Sequence, residues 1–286
     1  MIFMLFLVCL LLGVFLYTWY RLRNGIYVHT PENTERIKEY KLPVEEKTFT
    51  TRDGLTISSW YIPVKNPKAV VILIHGYVEK NGGRGLMLPH ADYLYKNGYT
   101  TLLINLRTNG KSDGKKVTFG INEWKDVDAA YDFVKSLPKC KGRKIGFMGV
   151  SMGGSVAIIT AGETGKGDFV IASVPFASLG TMLSYQIKKE KKFVPLFLPL
   201  ISIASFLEFG MKRKTSSPIA LVKNIHVPLL LIGGKYDNDV NPYDAKQLFD
   251  KANKPKYLWE ADAGHDVFRI HPEEFKKRVL SFLNTI

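Results

Sequence analysis

The segment Gly149-Val-Ser151-Met-Gly153 has the residue types and spacing of a serine nucleophile. It follows a short apolar run and precedes helix-forming sequence. In a strand-turn-helix with the pattern G-x-S-x-G, the serine occupies a strained turn, and the two glycines let neighbouring backbone approach without a Cβ clash. A glycine-rich turn with an ordinary serine has the same local pattern, so the rest of the chain must decide between the two interpretations.

A serine hydroxyl is a poor nucleophile until a base accepts its proton. That base, usually a histidine, needs a carboxylate to fix its tautomer and to stabilise its charged form. Asp237 and Asp239 follow one predicted strand, and His265 follows the next. Catalytic groups in open parallel sheets gather at the carboxyl ends of the strands, where these loops lie. We prefer Asp237 to Asp239 because of its distance from the end of the strand.

Apolar runs of strand length alternate with segments of helical spacing through most of the chain. The segments 47–51 and 55–62 are joined through Asp53-Gly54, which is a hairpin signal. The later alternation predicts a mostly parallel sheet with helices on both faces. The remaining predicted strands are 69–74, 99–104, 144–149, 169–174, 227–232 and 256–259, and the predicted helices are 86–97, 121–137, 152–163, 242–252 and one from 272.

The chain from residue 47 onwards resembles the α/β-hydrolase superfamily, in particular the subgroup of monoglyceride-lipase-like esterases and serine-aminopeptidase-like hydrolases. The matching segments, besides the serine motif, are His75-Gly76-Tyr77, Arg107 with Gly110 and Ser112, Ile225-His-Val-Pro228, Asp237 with Pro242, and Gly264-His265. The resemblance implies an α/β-hydrolase fold with a helical lid insert.

The same resemblance implies specific roles for residues of this sequence. Ser151 would be the nucleophile, His265 the general base and Asp237 its partner. The backbone N–H groups of Tyr77 and Met152 would form the oxyanion hole. His75 and Arg107 are expected to shape loops, and no metal or organic cofactor is implied.

Residues 2–20 form an uninterrupted apolar run without charge, which as a helix would span roughly 28 Å. Arg21 and Arg23 follow the run and no basic residue precedes it, which predicts a single-pass anchor with the body of the protein in the cytoplasm. A cleaved signal peptide is the competing interpretation, but it would need a basic start and a small-x-small cleavage site. The predicted division is an anchor over 1–23, a connector over 24–46 and a hydrolase domain over 47–286.

Composition limits the classes of partner. The formal net charge is +14, which suits nucleic acid or an anionic membrane surface. Because no nucleic-acid motif is present, we expect membrane lipid and no nucleic acid as partner. Two cysteines exclude a disulfide framework within one chain. Gly110-Lys-Ser112 lacks the first glycine of a phosphate loop, where Asn105 stands instead.

The interval from about 177 to 225 is too long for a simple connection and must have structure of its own. It contains the apolar run 193–207, and residues 183–224 include eight lysines or arginines against two glutamates. Two interpretations are open. The interval is either a lid packed on the domain with a solvated basic face, or a lid whose apolar run lines an acyl pocket and whose basic rim contacts anionic lipid.

These features predict a membrane-anchored serine hydrolase that cleaves carboxylic esters through an acyl-enzyme. Its substrate would be a small-molecule acyl ester, such as an acylglycerol or a lysophospholipid. A peptidase or amidase of the same fold is the first alternative. A non-catalytic binding protein of this fold is the second, and it would predict a damaged triad, whereas all three residues are present here.

Overall fold

The computed structural model describes residues 2–32, 34–78, 82–189, 198–211 and 215–286. The first part of the apolar run, 193–197, and five of the eight basic residues of the predicted insert lie outside the described residues. The expectation of a basic rim that contacts lipid therefore rests on the sequence.

Eight strands form one sheet in the order β1-β2-β4-β3-β5-β6-β7-β8. The hairpin partners β1 and β2 are antiparallel, β2 pairs antiparallel with β4, and all other neighbours are parallel. The mostly parallel sheet expected of an α/β-hydrolase is therefore confirmed. The strands are β1 Glu45–Thr50, β2 Thr56–Ile62, β3 Val70–Ile74, β4 Thr100–Ile104, β5 Ile145–Val150, β6 Val170–Ser173, β7 Leu229–Gly234 and β8 Lys256–Ala261.

Helices cover both faces of the sheet. The central strand β3 is buried on every residue, as expected for a strand covered on both sides. Val70, Ile72 and Ile74 face one apolar core, and Val71 and Leu73 face the other. The α-helices are α1 Ile2–Ile26, α2 Leu88–Lys96, α3 Trp124–Ser136, α4 Met152–Thr164, α5 Leu179–Lys189, α6 Leu198–Phe209, α7 Pro218–Leu221, α8 Asp244–Lys251, α9 Val267–Ile270 and α10 Pro272–Leu283.

The predicted insert has helical structure in its described part, where it contains α5, α6 and α7. Pro199 lies in the first turn of α6, where proline is tolerated because the backbone N–H there has no helical partner. The 12 residues of α6 are too few to cross a bilayer.

The helix α1 is the one helix of the described residues that is long and apolar enough to cross a membrane, over Met4–Ile26. It extends through Ile26, past the boundary at residue 23 that the sequence suggests for the anchor. A 3₁₀ turn at Glu35–Glu39 lies in the connector that leads to β1. The end of α1 reaches the hydrolase domain itself, since Ile26 is buried and its carbonyl oxygen accepts a hydrogen bond from the Val117 N–H.

Candidate active site

Ser151 lies between β5 and α4, on the strand-turn-helix that the sequence predicts. Its backbone is strained, with φ of 56° and ψ of −124°, a conformation that non-glycine residues rarely adopt. Its backbone N–H donates to the carbonyl oxygen of Ser173 at 2.8 Å. A Cβ at Gly149 would lie 2.1 Å from the carbonyl oxygen of Gly153, and a Cβ at Gly153 would lie 2.1 Å from that of Ile74. Both glycines are thus required by close backbone packing.

Asp237 and His265 are brought together by the loops after β7 and β8. The Nδ1 atom of His265 lies 2.8 Å from Oδ2 of Asp237. The other carboxylate oxygen of Asp237 accepts hydrogen bonds from the backbone N–H groups of Asp239 and Val240, at 2.8 and 2.9 Å. Asp237 is buried, whereas Asp239 is exposed. Of the two candidate carboxylates, Asp237 is the one hydrogen-bonded to the histidine.

The imidazole of His265 has a perturbed pKa. Burial by itself lowers the pKa, but the hydrogen bond that the ring donates to Asp237 and the negative charge of that carboxylate outweigh burial, so the pKa of His265 is raised above its usual value. With Nδ1 directed to Asp237, Nε2 is the ring nitrogen left to accept a proton from a nucleophile.

The ligand atoms of Asp237, Asp239 and His265 lie within 4.8 Å of one another, which is close enough for a metal site. Both oxygens of Asp237 are already engaged in hydrogen bonds, and its partner is the histidine itself. A buried carboxylate saturated in this way fits a histidine-orienting role better than metal coordination.

Tyr77 and Met152 lie beside Ser151, as the resemblance suggests. Met152 is the first residue of α4, where backbone N–H groups have no intrahelical partner and favour negative charge. The preceding Gly76 packs so closely that a Cβ there would lie 3.2 Å from Cβ of Ser151. The Tyr77 hydroxyl donates to the carbonyl oxygen of Gly25 at 2.7 Å, which links this loop to the end of α1.

His75 and Arg107 hold loops in place, which confirms their expected structural role. His75 is fully buried, its Nδ1 lies 2.6 Å from the Gly76 carbonyl oxygen, and its Nε2 accepts from the Leu106 N–H at 3.1 Å. Burial lowers the pKa of His75 to about 4, so its ring is neutral. Arg107 pairs with the buried Asp126 at 2.7 Å, which joins the β4 loop to α3.

Two cavities meet at Ser151 and His265. The first, which we call the helix cavity, has a volume of about 490 Å³ and is mostly apolar. The second, which we call the arginine cavity, has a volume of about 480 Å³. Apolar residues of the helix cavity include Leu22, Ile26, Phe119, Phe176, Met182 and Leu183. The arginine cavity includes Leu86, Met87, Val267, Phe268, Arg36 and Arg269.

The two arginines differ in their pairing. Arg269 is exposed and pairs with Asp266 at 3.2 Å. Arg36 is half-buried, and among the described ranges of the chain no ion-pair or hydrogen-bond partner is found for its guanidinium. The arginine cavity therefore has a cationic side chain with no counter-ion among those described residues.

Sequence reasoning missed the contribution of α1 to the site. Leu22 and Ile26, which line the helix cavity, belong to segments that the sequence divides between anchor and connector. Their spacing of four residues continues the apolar helical pattern past Arg21 and was the available signal.

The expectation that the apolar run of the insert lines the pocket at the serine needs correction for its described part. The helix cavity is lined from the insert by Met182, Leu183 and Gln186 of α5. Within residues 198–207, Ile201 and Ser205 line a neighbouring cavity instead. The reason is topological: α5 directly follows the loop after β6, so it lies closest to the carboxyl edge of the sheet.

Residues 65–217 match the model of the family described as serine aminopeptidase, S33. Among relatives, YqkD of Bacillus subtilis is 28% identical over 82% of this chain and 77% of its own length. The polyketide transferase ATR5 of Stachybotrys chlorohalonatus is 30% identical over 83% of this chain and 98% of its own length.

The Pyrococcus furiosus esterase Pf2001 is a similar solved structure, with a TM-score of 0.74 and 28% identity over 91% of this chain and 98% of that one. The α/β-hydrolase GrgF from Penicillium has a TM-score of 0.70 at 20% identity, over 85% of this chain and 99% of that one. At this level of identity the likeness of GrgF concerns the fold.

Proposed function

Since the chain belongs to the serine aminopeptidase S33 family of α/β-hydrolases, we propose that it is a membrane-anchored serine hydrolase that cleaves carboxylic esters of acyl chains. The observation that carries this proposal is the 2.8 Å contact between His265 and Asp237 at the cavities that also contain Ser151. The esterase activity named for the Pyrococcus furiosus structure supports the same reaction class.

In the proposed mechanism, Nε2 of His265 accepts the hydroxyl proton as Ser151 Oγ attacks the ester carbonyl. The negative oxygen of the tetrahedral intermediate accepts hydrogen bonds from the backbone N–H groups of Tyr77 and Met152. Loss of one such donor typically costs about 2.7–4 kcal/mol of transition-state stabilisation. His265 then returns the proton to the leaving alcohol, and water releases the acid from the acyl-enzyme by the reverse sequence.

The two cavities suggest how an ester divides across the serine. We assign the acyl chain to the helix cavity because its lining is mostly apolar and includes α1. The alcohol portion then faces the arginine cavity, where Arg36 and Arg269 favour an anionic group. Lysophospholipids and related acyl esters combine these two features.

Retention of α1 as an anchor is supported by its contacts. Cleavage after residue 25 would remove Leu22 and Gly25, which line the helix cavity, and with them the hydrogen bond between the Tyr77 hydroxyl and the Gly25 carbonyl oxygen. The basic residues after the span favour a cytoplasmic catalytic domain. Protease treatment of intact spheroplasts should leave the C-terminus protected, and digestion from outside would contradict this orientation.

A peptidase or amidase is the second candidate, because the matching family is described as serine aminopeptidase. The same triad chemistry serves both bonds. Rates of hydrolysis measured in parallel on p-nitrophenyl esters and on aminoacyl p-nitroanilides distinguish an esterase from a peptidase or amidase.

Fluorophosphonate labelling of the full-length protein in detergent tests the function itself. We expect the wild type to be labelled and to hydrolyse p-nitrophenyl esters, and Ser151→Ala to do neither. The buried Ser155 on the next turn of α4 offers a matched control, since Ser155→Ala removes a hydroxyl without removing the proposed nucleophile. A folded wild type that resists the probe would exclude a serine hydrolase.

A further inference from the structure

The last two turns of α1 form one side of the helix cavity. Leu22, Gly25 and Ile26 line this cavity together with Ser151. Ile26 is 1% exposed, whereas Leu12, fourteen residues earlier on the same helix, is 54% exposed. The end of α1 thus belongs to the catalytic cavity, and the preceding part lies outside the domain.

Hydrogen bonds to the hydrolase domain fix the end of α1. The last carbonyl groups of a helix have no intrahelical partner. Here the Gly25 carbonyl oxygen accepts from the Tyr77 hydroxyl at 2.7 Å, and the Ile26 carbonyl oxygen accepts from the Val117 N–H at 2.8 Å. Since Tyr77 belongs to the loop beside Ser151, α1 has a defined position relative to the serine.

A second contact fixes α1 to the insert. The indole N–H of Trp19 donates to a carboxylate oxygen of Glu208 at 2.8 Å, and Lys116 pairs with the other carboxylate oxygen at 2.7 Å. The side chain of Glu208 is only 6% exposed. A buried carboxylate with two partners of this kind is costly to separate from either of them, so α1 and α6 form one support for the cavity.

We propose that Leu22 is a specificity-determining residue and that the end of α1 sets the length of the acyl chain that the enzyme accepts. This inference rests on the proposed function. The substrate chain extends from Ser151 across Leu22, opposite Met182 and Leu183 of α5, with which Leu22 shares the cavity. Each methylene group buried there contributes about fourfold to kcat/KM. The preferred substrates are therefore medium- or long-chain acyl esters, and the element that anchors the enzyme also selects them.

The test compares Leu22→Trp, which fills the cavity, with Leu22→Ala, which enlarges it. Leu12→Trp is the matched control, because it makes the same replacement on the exposed part of the same helix. The full-length proteins are assayed in detergent with p-nitrophenyl acetate, butyrate, octanoate and palmitate, and labelling with a fluorophosphonate probe measures the reactive fraction.

We expect Leu22→Trp to keep acetate hydrolysis within about threefold of the wild type and to lose at least tenfold with octanoate and palmitate. Leu22→Ala should move the preference towards the longer chain, and Leu12→Trp should match the wild type. Equal effects of both Leu22 variants on every ester would overturn the inference. A wild type that is neither labelled nor active on any ester would remove the proposed function as well, and that outcome is distinct from the first.

Discussion

Two regions of the molecule meet at Ser151 and differ in how they are built. The strand-end loops, which follow β3, β5, β7 and β8, supply the groups proposed to carry out the chemistry. The cavity walls, formed by residues 21–26 of α1 and 182–186 of α5, supply apolar surface. The loops are fixed by hydrogen bonds and by backbone packing so close that a Cβ at Gly149 or Gly153 would lie 2.1 Å from a carbonyl oxygen, whereas the walls are held mainly by side-chain packing and a few helix-end contacts.

This difference indicates in which of the two regions amino-acid substitutions are tolerated. A residue of the strand-end loops has little freedom, because strained backbone and close packing leave no space for another atom. A residue of the cavity walls can change size at a modest cost and alter which substrate fits. On the proposed function, the loops would determine the reaction class and the walls the substrate.

The largest expected effect comes from the two carboxylates of the β7 loop. Asp237→Asn should lower kcat/KM by roughly 10³- to 10⁴-fold, because His265 loses the partner that fixes its tautomer. Asp239→Asn should retain activity within about tenfold, since the Asp239 side chain is exposed and does not hold the ring. Ester hydrolysis at equal concentrations of folded protein compares the two variants. An Asp237→Asn enzyme with normal activity would contradict the assignment of Asp237 as the partner of the catalytic histidine.

The next largest expected effect is on the free energy of unfolding, when one glycine of each region is replaced by alanine. Gly153→Ala places a Cβ 2.1 Å from backbone and should cost about 3 kcal/mol or more of unfolding free energy. A Cβ at Gly25 would lie 3.8 Å from the Tyr77 hydroxyl oxygen, an ordinary van der Waals contact, so Gly25→Ala should leave stability unchanged or raise it by up to ~1 kcal/mol. Thermal unfolding in detergent measures both. Equal losses would show that the two regions are packed alike.

The pH dependence should show a smaller effect of the same loops. Because the neutral imidazole is the proposed base and the pKa of His265 is raised, kcat/KM should fall below that raised pKa, by about tenfold per pH unit. Asp239 helps to raise the pKa of His265 through its charge. Asp239→Asn should therefore move the acidic limb to lower pH. If the acidic limb of the pH–rate profile moved to higher pH in Asp239→Asn, the predicted direction of the shift would be wrong.

The smallest expected effect concerns the arginine cavity. Arg36→Gln should lower kcat/KM about two- to fivefold for an ester whose alcohol portion is anionic, and leave a neutral ester unchanged. Arg143→Gln is the control, because Arg143 is exposed just before β5, at the opposite edge of the sheet. The measurement is the ratio of kcat/KM for the anionic ester to kcat/KM for the neutral ester, determined for each variant. The same ratio in Arg36→Gln and in the wild type would count against an anionic group in this cavity.

The strand-end loops could be predicted from sequence because their constraints are local. A buried strand, a turn that needs glycine and a following helix leave a pattern in consecutive residues, as at Ser151. The pairing of His265 with Asp237 could be expected from strand order, since parallel strands end at the same edge. The sequence could not decide how the Asp237 side chain is oriented towards His265. The backbone N–H groups of Asp239 and Val240 orient it, because both donate hydrogen bonds to one carboxylate oxygen of Asp237.

The cavity walls were not predictable in the same way. Residues 21–26 and 182–186 are far apart in the chain, and their contact depends on where α1 ends against the Tyr77 loop. From the sequence, the apolar run at 193–207 was the better candidate for a pocket, yet among the described residues of the insert it is α5 that lines the cavity at the serine. An apolar pattern indicates that a residue is buried, but it does not indicate which surface that residue contacts.

The sequence by itself determined the mostly parallel sheet and the strained serine turn, because local propensity and periodicity encode strands, turns and helices. The resemblance of its motifs to those of α/β-hydrolases implied the hydrolase fold and the order of the candidate triad. The tertiary structure alone decided that Asp237 contacts His265 and that Leu22 and Ile26 share a cavity with Ser151. These facts depend on the packing of distant segments, and packing follows from the shapes of all the elements together rather than from any one of them.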